Sequence, residues 1–182
     1  GEFTFLEFIR NYSASLPLRD IDGLAYKAND KIEFKARKPI ENLDELPFPA
    51  YDLINIKDYL SHPYLYRGRS RTIQKNSISM ITSRGCPFSC IFCSIKLHMG
   101  NKYRANSADY VIKHLKYCIA HLGITNFHFE DDNISLDKQR FIQILDGIIE
   151  SNLKIKYDLP NGVRVDSLDF SILKKMKKSG CV

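Results

Sequence analysis

From Ser77 onward the apolar pattern changes period again and again, and this alternation restricts the possible folds more than any other feature. Ser77-Ile-Ser-Met-Ile-Thr alternates with period two, as a strand with one buried face does. Ser107 to Leu122 then places Val111, Leu115, Cys118 and Leu122 on one helical stripe, with Ser107 as the expected N-cap and Gly123 just past the end. A strand is predicted over Ile124 to Phe129, and a helix from about Leu136 to Asn152 with Phe141, Leu145, Ile148 and Ile149 as its stripe. A third strand, Ile155 to Leu159, and a third helix, from about Ser167 to Ser179 and closed by Gly180, complete the series. The order βαβαβα implies right-handed crossovers onto a parallel sheet, so the fold class is α/β, a partial (β/α) barrel of about three βα units. A closed eight-fold barrel takes about 250 residues, whereas about 105 are present here. The chain stops at Gly-Cys-Val, where a fourth strand should start, so we expect a protein cut at both ends with an unpaired sheet edge.

Upstream, Phe3 to Ile9 has helical apolar spacing, and Gly23-Leu-Ala-Tyr-Lys and Lys31-Ile-Glu-Phe-Lys flank an Asn-Asp turn as a β-hairpin. Pro39 to Asp52 contains three prolines, which fix φ and lack a backbone donor, and reads as an extended connector. The expected organisation is residues 1–38 with the hairpin, a linker over 39–76 and the α/β domain over 77–182. A hydrophobic fraction of 44% with 26% charged residues suits a chain with a buried core. No apolar run reaches the ~18 residues that span a bilayer, the N-terminus lacks a signal-peptide pattern, and five cysteines make no disulfide framework. A cytoplasmic location with no membrane span is therefore expected. Net charge is +6, part of it in Lys174-Lys175-Met176-Lys177-Lys178. No aromatics interleave these lysines as base-stacking platforms would, so they read as a solvated helix face and nucleic acid is not the expected partner.

Ser83-Arg-Gly-Cys-Pro-Phe-Ser-Cys-Ile-Phe-Cys-Ser94 packs Cys86, Cys90 and Cys93 into eight residues. Structural zinc wants four ligands, and so does a ferredoxin-type cluster. Three thiolates holding a four-iron cluster leave one iron open, and an open coordination position marks a reactive centre rather than a sealed one.

The spacing Cys-x3-Cys-x2-Cys, with Phe92 before the last cysteine, resembles the signature of the radical S-adenosylmethionine superfamily. The resemblance implies a 4Fe-4S cluster on Cys86, Cys90 and Cys93 whose unique iron chelates S-adenosylmethionine. One electron, from a flavodoxin- or ferredoxin-type donor, then yields a deoxyadenosyl radical that abstracts hydrogen from a small-molecule or peptide substrate. Glu130, Asp131 and Asp132 at the end of the second strand match the family's acidic stretch facing the cofactor's amino group, and Asn161 and Arg164 after the third strand match positions near the cofactor. Leu-Asp-Glu-Leu-Pro-Phe-Pro-Ala-Tyr-Asp, His-Phe-Glu-Asp-Asp-Asn and Pro-Asn-Gly-Val-Arg-Val-Asp further resemble the subfamily in which a cobalamin-binding domain precedes the radical domain. Residues 1–38 would be that domain's tail, with cobalamin held upstream. Methylation, cyclisation and rearrangement are the implied outcomes. Half a barrel leaves a radical exposed to water, so these residues alone are expected to be inactive.

Plainer roles compete at several positions. Asp132 or Ser135 could cap the second helix, and His98 could complete a three-thiolate, one-imidazole zinc site. His114, His121 and His128 read as surface or packing residues, and Cys118 as a core side chain. The alternative function class is a zinc-stabilised binding module with a basic face for nucleic acid.

Overall fold

The computed structural model describes residues 1–60 and 76–182; the part of the expected linker over 61–75 lies outside the described residues. The chain divides into two compact units, Gly1–Glu41 and Asn42–Val182.

In the first unit α1 (Glu2–Ser13) runs further than its apolar spacing predicts, with no residue fully buried. The hairpin forms as expected: β1 (Ala25–Ala28) pairs antiparallel with β2 (Lys31–Phe34). Asn29 and Asp30 both have positive φ, which a two-residue turn matching the twist of its strands requires. Helix and hairpin are joined by Thr4 Oγ1, which donates to the Asp22 carbonyl at 2.9 Å, and by an Arg37–Glu7 ion pair.

In the second unit β3 (Ser77–Met80), β6 (Asn126–Phe129) and β7 (Lys156–Asp158) form a parallel sheet in that order, the two outer strands flanking β6. The crossovers are α4 (Ala108–Leu122) and α5 (Lys138–Glu150), and α6 (Phe170–Ser179) follows β7. Two short strands after β3, β4 (Ser83–Arg84) and β5 (Arg104–Ala105), pair antiparallel, and α3 (Ile95–His98) lies between them. A further short helix, α2 (Ile56–Leu60), precedes the sheet. Alternate strand residues Met80, Phe127, Phe129 and Tyr157 pack with Val111, Leu115, Phe141, Leu145, Ile148 and Ile172 of the helices into one buried core. Cys118 is in that core and fully buried, and burial pushes its thiol up to about 11.

Ser107 caps α4 as predicted, accepting from the Tyr110 amide at 3.1 Å. The cap of α5 is neither Asp132 nor Ser135 but Asp137, which accepts from the Arg140 amide at 2.9 Å. Likewise Asp169 caps α6, two residues beyond the end of a 3-10 turn over Val165–Ser167.

The edge of β7, expected to be unpaired, carries a parallel bridge among the described residues. Cys181 bridges Tyr157 in parallel fashion, Val182 N donating to the Tyr157 carbonyl at 3.0 Å, so the edge of β7 is paired at this point. Gly180 makes the approach possible: at φ +105, a Cβ there would stand 2.1 Å from the Ile155 carbonyl oxygen.

The opposite face of the strands is polar. His128 is fully buried between Ser77 Oγ, 2.9 Å from Nε2, and Asp158 Oδ1, 2.6 Å from Nδ1, a row that ties β3, β6 and β7 side to side. Among the described residues Asp158 Oδ2 is buried without a hydrogen-bond partner.

Residues 42–60 are packed into this unit rather than standing apart as an extended connector. Leu43 and Tyr51 are buried in short 3-10 turns, Asp44 accepts from the Ser107 amide at 2.9 Å, and Tyr51 Oη lies 3.0 Å from His114 Nε2. His114 also stacks on Phe48 at a centroid separation of 4.4 Å. Burial pushes its imidazole down from 6.5 to about 4, so it is neutral in the folded chain at pH 7. The unfolded chain takes up a proton first as pH falls, so this site's contribution is complete above pH 6.5 and is lost as pH falls toward 4. Stability should drop by about 3 kcal/mol across that window through this residue. Urea unfolding of His114→Gln at several pH values should show a flatter dependence between pH 6.5 and 4 than the parent, and parallel curves would remove the residue from the account.

Candidate active site

The strand ends bring three segments together: the cysteine loop beyond β3 and β4, residues 130–133 beyond β6, and residues 159–164 beyond β7. All are at C-terminal ends of parallel strands, the end at which β/α folds place their chemistry.

The cysteine loop is closed at its base by the β4–β5 ladder, Arg84 opposite Arg104. Cys86 N donates to the Gly100 carbonyl at 3.3 Å and Arg104 Nη2 to the Met99 carbonyl at 2.7 Å. Gly85, at φ +84, lies so close to the returning chain that a Cβ would stand 2.3 Å from the Lys102 carbonyl oxygen, which explains a glycine beside the first cysteine. Cys93 N donates to the Cys90 carbonyl at 3.1 Å, a turn that sets these two thiols on one bend. Cys90 and Cys93 are exposed and Cys86 is half-buried, none of them in a disulfide.

A cavity of about 450 Å³ lies against this loop, within the range of small-ligand sites, and Cys86, Cys90 and Cys93 all line it. Of the other predicted residues, Phe92, Asp132, Asn161 and Arg164 line it too. Among the described residues no three His, Cys, Asp or Glu side chains are gathered tightly enough to hold a single metal ion. The three thiols border this one space.

Asp131 does not line the cavity. It is 2% exposed, and its carboxylate accepts from Thr82 Oγ1 at 2.8 Å, the Thr82 amide at 3.1 Å and Ser83 Oγ at 2.5 Å. Burial raises its carboxyl above the usual range, opposed by the hydrogen bonds from Ser83 and Thr82 and by the Arg140 charge. It therefore ties the end of β6 to the β3–β4 corner from which the cysteine loop springs. Glu130 is half-buried and is also not a cavity residue; its backbone amide donates to the Met80 carbonyl at 2.9 Å. Asp132 is the one acidic side chain of the three at the cavity, its carboxyl raised by burial and lowered in part by His98.

Asn161 Nδ2 donates to the Glu130 carbonyl at 3.0 Å, joining the second and third segments. Arg164 donates through Nε and Nη2 to the two Asp166 oxygens at 3.0 and 2.7 Å, and its guanidinium carbon lies 3.9 Å from the Phe88 ring centroid. Sequence reasoning passed over Phe88 and Asn133, which also line the cavity. An aromatic between the first two cysteines was the available signal for Phe88.

The Radical SAM superfamily model matches residues 80–182. The chain belongs to the radical SAM superfamily. A curated relative, an uncharacterised methyltransferase of Pyrococcus horikoshii, is 35% identical over 182 residues, covering 100% of this chain and 37% of its own length. Cytidylyl-2-hydroxyethylphosphonate methyltransferase of Streptomyces wedmorensis is 26% identical over 207 residues, with 99% of this chain and 37% of that protein covered. The chain thus spans little more than a third of the length of these relatives. Among solved structures, a radical S-adenosylmethionine methyltransferase from Kitasatospora setae with cobalamin and a 4Fe-4S cluster bound superposes with a TM-score of 0.71 at 18% identity, covering 100% of this chain and 36% of that one. That likeness establishes the shared radical SAM fold. No helix among the described residues is long and apolar enough to cross a membrane.

Proposed function

We propose that Cys86, Cys90 and Cys93 hold a 4Fe-4S cluster with one iron free of protein ligands, and that S-adenosylmethionine occupies the adjoining space against Phe92, Asp132, Asn161 and Arg164. The observation that carries this reading is that the three thiols and these four residues, drawn from three strand ends, line one cavity in a chain of this superfamily. When bound, the reduced cluster supplies the electron that cleaves S-adenosylmethionine and starts radical chemistry. The protein's own part is to bind and orient. Three thiolates fix the cluster, the Asp132 carboxylate offers a charge-assisted acceptor for an ammonium group, and Asn161 holds the second and third segments in register. For the whole protein we propose methyl transfer, the activity named for both curated relatives, with cobalamin held by residues outside this site and electrons from a flavodoxin- or ferredoxin-type donor. The zinc-stabilised module is not favoured, since the superfamily match covers the cysteine loop.

Anaerobic reconstitution with iron and sulfide tests the reading. A brown, air-sensitive chain with broad visible absorption and matching iron and acid-labile sulfide is expected. A colourless chain that takes up only zinc overturns it. In the loaded chain Asp132→Asn should keep the cluster yet bind S-adenosylmethionine more weakly by about 1.5–3 kcal/mol, roughly ten- to a hundredfold. Equal affinity by equilibrium dialysis would leave Asp132 without that role.

A further inference from the structure

We propose that Arg164 is a fixed cation that sets the reduction potential of the cluster, an inference that rests on the cluster assignment above. Arg164 comes from the segment beyond β7, yet its guanidinium lies on Phe88, two residues after Cys86 and two before Cys90. Stacking on that face pins the charge to the middle of the cysteine loop. The bidentate pair with Asp166 fixes the plane of the group and uses Nε and Nη2, leaving Nη1 out of the pair. The same guanidinium lines the cavity that the three thiols line, and Cys90 and Cys86 are near enough to feel its charge. Arg164 is a positioning residue in this role, acting on the cluster through charge.

One-electron reduction adds one negative charge to a cluster. A positive charge held beside it favours the reduced form and raises the potential; a neighbouring negative charge does the reverse. Arg164 and Asp166 therefore act with opposite signs. Asp166 offsets part of the cation's field, and solvent screens both, since their side chains are 42% and 59% exposed.

The test is a redox titration of the reconstituted chain followed by electron paramagnetic resonance, without S-adenosylmethionine, so that loss of cofactor binding is not what is measured. Arg164→Met should make reduction about tenfold less favourable, a downward shift of about 59 mV for a one-electron couple. Asp166→Asn should shift the potential upward, and Arg164→Lys, which keeps the charge, should stay closer to the parent than Arg164→Met does. A structural role alone would change cluster content or stability without producing shifts of opposite sign. Equal potentials for Arg164→Met and the parent at equal cluster content, or shifts of one sign in both variants, overturn the inference and leave the cluster assignment standing. If Arg164→Met takes up no cluster, Asp166→Asn decides, and no upward shift overturns it. A parent chain that takes up no cluster overturns the proposed function and this inference with it.

Discussion

Cys86→Ala, Cys90→Ala and Cys93→Ala are each expected to lose most of the iron and acid-labile sulfide that the parent chain takes up under anaerobic reconstitution. A cluster whose fourth iron has no protein ligand depends on its other three thiolates, so none of the cysteines has a substitute. Cys118→Ala is the control. Cys118 is fully buried in the helix-lined core and burial raises its thiol to about 11, so it is neither accessible nor a thiolate at neutral pH. Its removal should leave iron content unchanged. Full iron in all three loop variants, measured with colorimetric iron and sulfide assays, would place the cluster elsewhere.

Arg140→Ala should destabilise the second unit by about 3–5 kcal/mol, the usual effect of removing one member of a buried charged network. Arg140 is 6% exposed; its Nε donates to the Asn106 carbonyl at 2.5 Å, and its Nη2 to the Thr82 carbonyl at 3.0 Å and Thr82 Oγ1 at 2.8 Å. Thr82 Oγ1 in turn donates to Asp131 at 2.8 Å, so guanidinium and carboxylate are compensated through one hydroxyl. Truncation leaves the Asp131 charge buried without its counterpart. Urea midpoints compared at pH 7 should show the loss, and Arg140→Lys should recover only part of it, because an ammonium lacks the planar fork that reaches several acceptors. A change under about 1 kcal/mol would mean that water compensates Asp131 instead.

These two networks show what could be read from the residues beforehand and what could not. The alternation of period gave the three parallel strands and their helices, because each element buries one apolar face and writes its own spacing. Ser107 was legible as a cap since it directly precedes the stretch that carries the helical apolar stripe. Asp137 was not, because Asp131, Asp132, Asn133, Ser135 and Asp137 all suit a cap and only the placement of Arg140 selects among them. A charged residue in a helix reads as solvent-facing, so Arg140 itself carried no sign of burial. The Glu130-Asp131-Asp132 stretch was legible as a cluster of carboxylates, but not their division of labour. That depends on Thr82 and Ser83, 49 and 48 residues upstream of Asp131, meeting it at a strand end. The β4–β5 pair was invisible because two residues are too few to show a period. The cysteine spacing survived all this, since ligands on a tight loop need no long-range contact to stay together.

That same two-residue pair decides when the cost of closing the loop is met. Bringing the ends of roughly twenty residues together costs about 3 kcal/mol of chain entropy. In a zinc finger the metal supplies that closure, and the peptide unfolds without it. Here the ends are joined by Ser83–Ala105 and Arg84–Arg104 pairing and by Arg104 reaching back to Met99, all protein to protein. The loop is thus closed by the chain's own hydrogen bonds, and if it holds the cluster proposed above, losing that cluster to oxygen should leave the β4–β5 closure in place. Repair becomes a matter of refilling rather than refolding.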